Sequence, residues 1–290
     1  MFAHIMSSFK NAIEGRGTCG VNTDNGYNWC GHLIPEDVII NIFTYVPAKD
    51  LIKSGVIVCK YWHHLLNCQH FWFLKLKTDG VRLSNARRQR LQSEEDERKI
   101  IYIIQGLCSG KLPFNQNLIL NPCGRDRFEH WRVGHGGDRI VIECPPVGSD
   151  EIPREASVPT QHCFVTSYYP GTRIQVIDLE KRGINAWIMD ILKPEIHISE
   201  WVSARWDCNS QSFVEVRLQR VDEGEIEVNM EWSSLDNDIV CRKWYKISRV
   251  IEDYPEGINN IIYSSTGQDH QYWAGHYGAK TAGSSVVLVI

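Results

Sequence analysis

The chain has 290 residues, 43% of them hydrophobic and 23% charged, with a formal net charge of -4. That length supports one large or two modest domains, and the mild charge gives no electrostatic case for nucleic acid or an anionic membrane. No apolar run approaches the ~20 residues that span a bilayer. The opening residues show no charged segment followed by an apolar one, and no Asn-x-Ser/Thr acceptor occurs anywhere, so a cytoplasmic chain is expected. Ten cysteines scatter from Cys19 to Cys241 without a CxxC pair. They read as reduced, buried thiols, and neither a metal site nor a cofactor is expected.

Residues 1–30 are rich in Gly, Asn and Ser and read as a flexible leader. The formal GxGxxG of Gly15, Gly17 and Gly20 has neither the strand before it nor the helix after it that a dinucleotide site needs. Residues 31–77 then carry short helices. Pro35 suits a first helical turn, Glu36 and Asp37 favour the positive end of the helix dipole, and Val38, Ile39, Ile42 and Phe43 fall on one stripe. Pro47 breaks that helix. Asp50 is the expected N-cap of a segment from Leu51 to Val58, and a third segment runs from Lys60 to Leu66 toward Phe71, Trp72 and Phe73. Some forty residues cannot bury so many large apolar side chains among themselves, so part of this surface is expected to meet another protein.

Residues 78–117 read as a helical linker, with Arg82, Arg87, Arg88 and Arg90 followed by Glu94, Glu95, Asp96 and Glu97 on helix-forming sequence. The run Ile100 to Ile104 continues that helix or forms a buried strand, and periodicity does not choose. From Leu118 the pattern turns to strands. Ile226, Val228, Met230 and Trp232 alternate with polar residues, as do Val214, Val216 and Leu218, and shorter candidates lie at 196–198, 246–251, 258–263 and 286–290. Such strands imply an antiparallel β-sandwich, interrupted by one helical stretch from Leu179 to Leu192. The expected class is α+β, multi-domain: helices first, then a sandwich over 118–290.

Two resemblances sharpen this outline. Leu33-x-Pro35-Glu36, the apolar stripe, Pro47-x-x-Asp50-Leu51, Val58-Cys59-Lys60-x-Trp62 and Phe71-Trp72 together resemble an F-box. The resemblance implies docking on a Skp-type adaptor, and through it on cullin and RING subunits of a ubiquitin ligase, by Leu33, Pro35, Ile39, Ile42, Phe43, Val46, Leu51, Val58 and Trp62. Asn121-Pro-Cys-Gly124, Trp131, Gly136-Gly-Asp138, Gln175-Val-Ile-Asp-Leu179, Trp201 and Gln271 to Lys280 resemble the F-box-associated domain. That resemblance implies a roughly ten-stranded, galactose-binding-like sandwich. It also implies kinship with the sugar-recognising F-box proteins, which select misfolded glycoproteins by the high-mannose N-glycan core.

In that family, loops at one end of the sandwich grip the inner chitobiose. The residues that correspond here are Tyr168, Asp207, Tyr272 and Trp273. Two family positions depart: Ala274 stands where the sugar binder has lysine, and Arg139 where it has an aromatic. The resemblance implies a receptor that does no bond chemistry itself. No GxSxG, HExxH or P-loop pattern argues otherwise, and Asp207 has no second carboxylate identifiable as a glycosidase partner. A receptor for a protein epitope, or a scaffold outside ubiquitylation, fits the same sequence.

Overall fold

The computed structural model describes residues 22–23, 26–29, 32–236 and 238–290. The glycine pattern at 15–20 and most of the expected leader lie outside the described residues. Two compact units emerge, Met1–Leu112 and Pro113–Ile290.

In the first unit, strands β1 (Asn22–Thr23), β2 (Gly26–Trp29) and β3 (His32–Pro35) pair antiparallel. Part of the stretch expected to be loose is therefore paired strand. Helix α1 (Glu36–Thr44) follows directly, with both acidic residues in its first turn. Pro47, not Asp50, occupies the N-cap of α2 (Ala48–Lys53), and a 3-10 turn at Gly55–Ile57 replaces the rest of the expected second segment. The 3-10 turn allows close approach, because a Cβ on Gly55 would sit 2.8 Å from Leu66. Helix α3 (Lys60–Leu66) matches its expected bounds, and the aromatic cluster opens α4 (Gln69–Thr78). Phe43 meets Trp62 edge-on at 4.4 Å and Phe71 at 6.5 Å, while the buried Trp72 Nε1–H donates to Leu66 O at 2.7 Å.

The expected linker helix is two helices, α5 (Asn85–Ser93) and α6 (Glu97–Ser109). The break has a local cause: Glu94 is extended, and the Asp96 side chain caps α6 by accepting from Arg98 N at 3.0 Å. Ile100, Ile101, Ile103 and Ile104 are buried helix residues, which excludes the strand alternative. Gly110, at φ 65, ends α6 in the left-handed conformation.

The second unit is an antiparallel sandwich of two five-stranded sheets. One sheet has the order β10 (Glu225–Ser233), β9 (Ser210–Arg220), β12 (Ile258–Asp269), β7 (Gly171–Asp178) and β4 (Arg132–Gly134). The other has the order β11 (Tyr245–Ile251), β8 (Glu195–Ser203), β13 (Lys280–Val289), β6 (Cys163–Val165) and β5 (Val141–Glu143). The expected strands all appear, most of them longer than their apolar cores suggested. Alternation supplies the filling between the sheets, with Val214, Val216, Leu218, Ile261, Ile196, Ile198, Val286 and Leu288 buried. Cys123 and Cys163 pack as free thiols in a separate cluster with Ile152, Val165 and Ala282, on the side of β6 away from Phe164. The helix expected from Leu179 starts only at Ala186 (α7, Ala186–Leu192), because Leu179 to Ile184 closes a turn through Gly183 at φ 84.

One charged pair crosses this interior. Arg173 of β7 and Glu200 of β8 are 2% and 0% exposed and bonded to each other. Glu200 also accepts from Ser284 Oγ at 2.7 Å and Ser265 Oγ at 2.8 Å. The Arg173 guanidinium lies 4.2 Å from the Phe164 ring centre and 4.8 Å from that of Trp131. The two sheets are thus joined by a hydrogen-bonded charge network as well as by apolar contact.

Candidate functional site

Strand register decides where the loops gather. Lys280 lies opposite both Val165 and Ser203, Asp269 opposite Ser210, and Gly267 opposite Gly171. Hence loops 135–140, 166–170, 204–209 and 270–279, each crossing from one sheet to the other, share one end of the sandwich. Tyr168, Asp207, Tyr272 and Trp273 all sit on these loops. Backbone bonds tie the loops together: Asp269 N donates to Ser167 O at 3.1 Å, His270 N to Asn209 O at 2.8 Å, and Gly278 N to Thr166 O at 3.1 Å.

A side-chain clamp adds to them. Ser167 Oγ donates to Gly275 O at 2.6 Å and accepts from Asp138 N at 2.9 Å, while Asp138 Oδ2 accepts from Gly275 N at 2.6 Å. The space is tight enough to require glycine, since a Cβ at Gly136 would meet Pro170 O at 2.2 Å. Tyr272 adopts φ 59, uncommon for a residue with a side chain, and its N–H is taken by the buried Asp269 carboxylate. Tyr272 and Trp273 are therefore not core residues of a strand. They stand in the loop after β12, 61% and 46% exposed.

Two aromatic groups flank this end. Tyr168 packs against Tyr169 at 5.0 Å, and Tyr169 against Tyr272 at 6.4 Å. Trp273 packs edge-on against Tyr277 at 5.6 Å, and Arg205 lies 4.7 Å from the Tyr277 ring centre. Arg205 in turn grips Asp207 with two bonds, 2.8 and 3.1 Å. The Arg205 hydrogen bonds hold the Asp207 carboxyl below the usual carboxylate range. Beside it, burial pushes the Cys208 thiol up to about 12, so it is a protonated thiol at neutral pH.

Tyr169, Trp206, Tyr277 and Arg205 escaped the sequence reading. The Tyr-Tyr pair and the Trp beside Asp207 were visible, but no periodicity marks a loop residue as exposed. Ala274 and Arg139 are both exposed, Arg139 at φ 80.

The first unit has its own surface. Leu33, Pro35, Val38 and Ile42 are exposed, with Tyr45 at 76% and Ile57 at 80%. Ile39, Phe43, Val46, Leu51 and Trp62, expected to meet the adaptor, are instead buried in their own unit, and Val58 is half-buried. The reason is helical geometry: the stripe that reads as one apolar face is divided between the inner and outer sides of α1. Val38 and Ile42 take the outer side, and Tyr45, just past α1, and Ile57, in the 3-10 turn, are exposed as well.

Residues 110–288 match the family described as the F-box associated region, and residues 32–74 match an F-box-like segment. The chain belongs to the F-box proteins with an F-box-associated domain. It is similar to F-box only protein 6 of Mus musculus, 30% identical over 263 residues that cover 88% of this chain and 82% of the relative. F-box only protein 27 of Mus musculus is 31% identical over 264 residues, covering 88% and 89%. F-box only protein 44 of Homo sapiens is 28% identical over 256 residues, covering 88% and 95%. As an F-box protein, the chain is a non-catalytic substrate-receptor subunit of an SCF-type ubiquitin ligase, joined by its F-box to the Skp adaptor and thence to cullin and RING subunits. Among the described residues, no helix is long and apolar enough to cross a membrane.

Proposed function

We propose that the loop end of the sandwich binds the chitobiose core of high-mannose N-glycans. This F-box protein then selects misfolded glycoproteins in the cytoplasm for ubiquitin-dependent, ER-associated degradation. The observation that carries the reading is the gathering of exposed aromatics and a carboxylate at one end of the sandwich: Tyr169, Trp206, Tyr272, Trp273 and Asp207, on loops fixed by the Asp138–Ser167–Gly275 clamp. A pyranose ring offers a C–H face to an aromatic plane and hydroxyls to paired donors and acceptors, and this set supplies both. Asp207 is charged at neutral pH and, though held by Arg205, its oxygens retain lone pairs for a hydroxyl or an acetamide N–H. Arg205 brings a cation to the same loops, in a chain that carries Ala274 at the lysine position.

A second reading has its own support. Ala274 and Arg139 remove a donor and an aromatic from the family pattern, and an exposed aromatic patch also suits a protein epitope. The test is capture of a denatured high-mannose glycoprotein by the full chain, before and after enzymatic removal of its glycans. The glycan reading predicts that capture is lost with the glycans. Equal capture of both forms assigns the loops to protein.

A further inference from the structure

A cleft of about 430 Å³ lies beside the loop end, on the outer face of the sheet containing β9. Its volume falls in the ~300–1,000 Å³ range of pockets that enclose small ligands. Strand register orders its lining into two rows. Glu231, Phe213 and Thr266 lie side by side across β10, β9 and β12, and Ser233, Gln211 and Gln268 form the next row. All six alternate with buried neighbours, so they face outward. Pro170 and Asp236 also line the cleft.

The chemistry of this lining is selective. It holds two aromatic residues, the outward-facing Phe213 and the buried Trp232, amides from Gln211 and Gln268, hydroxyls from Ser212, Ser233 and Thr266, and carboxylates from Glu231 and Asp236, with no lysine or arginine. The side chains of Gln211, Gln268 and Glu231 make no hydrogen bond or ion pair among the described residues. Donors and acceptors free around the outward-facing Phe213 ring suit a neutral polyhydroxylated ligand, and two carboxylates without a cation disfavour an anion. The cleft is also continuous with the loop end. Pro170 follows Tyr169, Gln268 precedes Asp269 and the Tyr272 loop, and Gln211 opens β9 just beyond the Asp207 loop.

We propose that this cleft is a second carbohydrate subsite, holding the distal hexoses of an oligosaccharide whose core lies against Tyr272 and Trp273. The inference rests on the glycan reading above and extends it along the flank of the sandwich. It makes the receptor sensitive to the length of the glycan as well as to its core.

The test uses the full chain and two ligands, the chitobiose disaccharide and a high-mannose oligosaccharide with the same core. Wild-type protein should bind the longer ligand about tenfold more tightly, since each ~1.4 kcal/mol of added contact is a factor of ten. Phe213→Ala and Gln268→Ala should bring that affinity down to the disaccharide's while leaving disaccharide binding unchanged, which also shows that the variants are folded. Equal wild-type affinity for the two ligands overturns the subsite and leaves the core reading standing, as does a longer-ligand affinity that the variants do not alter. Failure of both ligands to bind overturns both. A lysine-rich peptide that binds wild type and is lost in the cleft variants, with glycan affinities unchanged, would reassign the acidic cleft to a cationic protein segment.

Discussion

Replacing Glu200 by Gln should cost more stability than its place in a strand suggests. The substitution keeps the shape and the bonding capacity toward Ser265 and Ser284 but leaves the Arg173 guanidinium, 2% exposed, without a counter-charge between the two sheets. Breaking one side of a buried pair costs about 3–5 kcal/mol, because the remaining charge keeps its desolvation penalty. Against a total of about 5–15 kcal/mol for a domain, that is a large share. The double variant Arg173→Met/Glu200→Leu removes both charges and should recover most of the loss, leaving the two serine hydroxyls to find new partners. Urea unfolding of the full chain, read from amide exchange in β7 and β8, measures the sandwich separately from the helical unit. A single-variant loss below about 1 kcal/mol, or a double variant no better than the single one, would refute the idea that an uncompensated charge dominates.

Other predictions concern the two surfaces. Ile42→Asp and Tyr45→Asp should weaken adaptor binding in a pull-down without moving Tm, since both side chains are exposed. Leu51→Ala, at 0% exposure, should instead cost about 2–5 kcal/mol of helical-unit stability. Asp138→Ala removes the acceptor for Gly275 N, so it should weaken disaccharide binding by isothermal titration while Asp138→Asn keeps part of it; equal loss in both would mean that charge, not positioning, matters. The Asp207 carboxyl is depressed by Arg205, so the stability of their pairing is complete above the ordinary carboxylate range and is lost only as pH falls through the lower, folded value. Arg205→Gln should therefore move the acid loss of ligand binding to higher pH, and a profile identical to wild type would contradict that coupling.

Much of this architecture is written in residue periodicity. The β9 and β10 strands follow from strict alternation of Val214 to Leu218 and Ile226 to Trp232, because one sheet face is buried and the other solvated. Burial within α1 was less legible. Ile39 and Ile42 look alike in sequence, yet one packs inward and the other outward, and only the partners brought by α3 and α4 decide between them. The linker break at Glu94 depended on a cap by Asp96, which competes with helix continuation at similar energy. The site lay deepest. Tyr272 and Trp273 came from resemblance, and their exposure arises from a left-handed loop residue held by Asp269, which no local pattern announces. Arg205 binds Asp207 from two residues away, but its seat on Tyr277 joins positions 72 residues apart in the chain. The Arg173–Glu200 pair was invisible for a related reason: charged residues at alternating positions read as solvent-facing until the opposite sheet is in place.

The most direct measurement is a titration of the full chain, bound to its Skp adaptor, with chitobiose, alongside Trp273→Ala. Saturable binding that the substitution abolishes, with adaptor binding persisting, is the expected result. A flat titration by folded, adaptor-bound protein would contradict it, leaving the F-box role intact and assigning the loop end to a protein client.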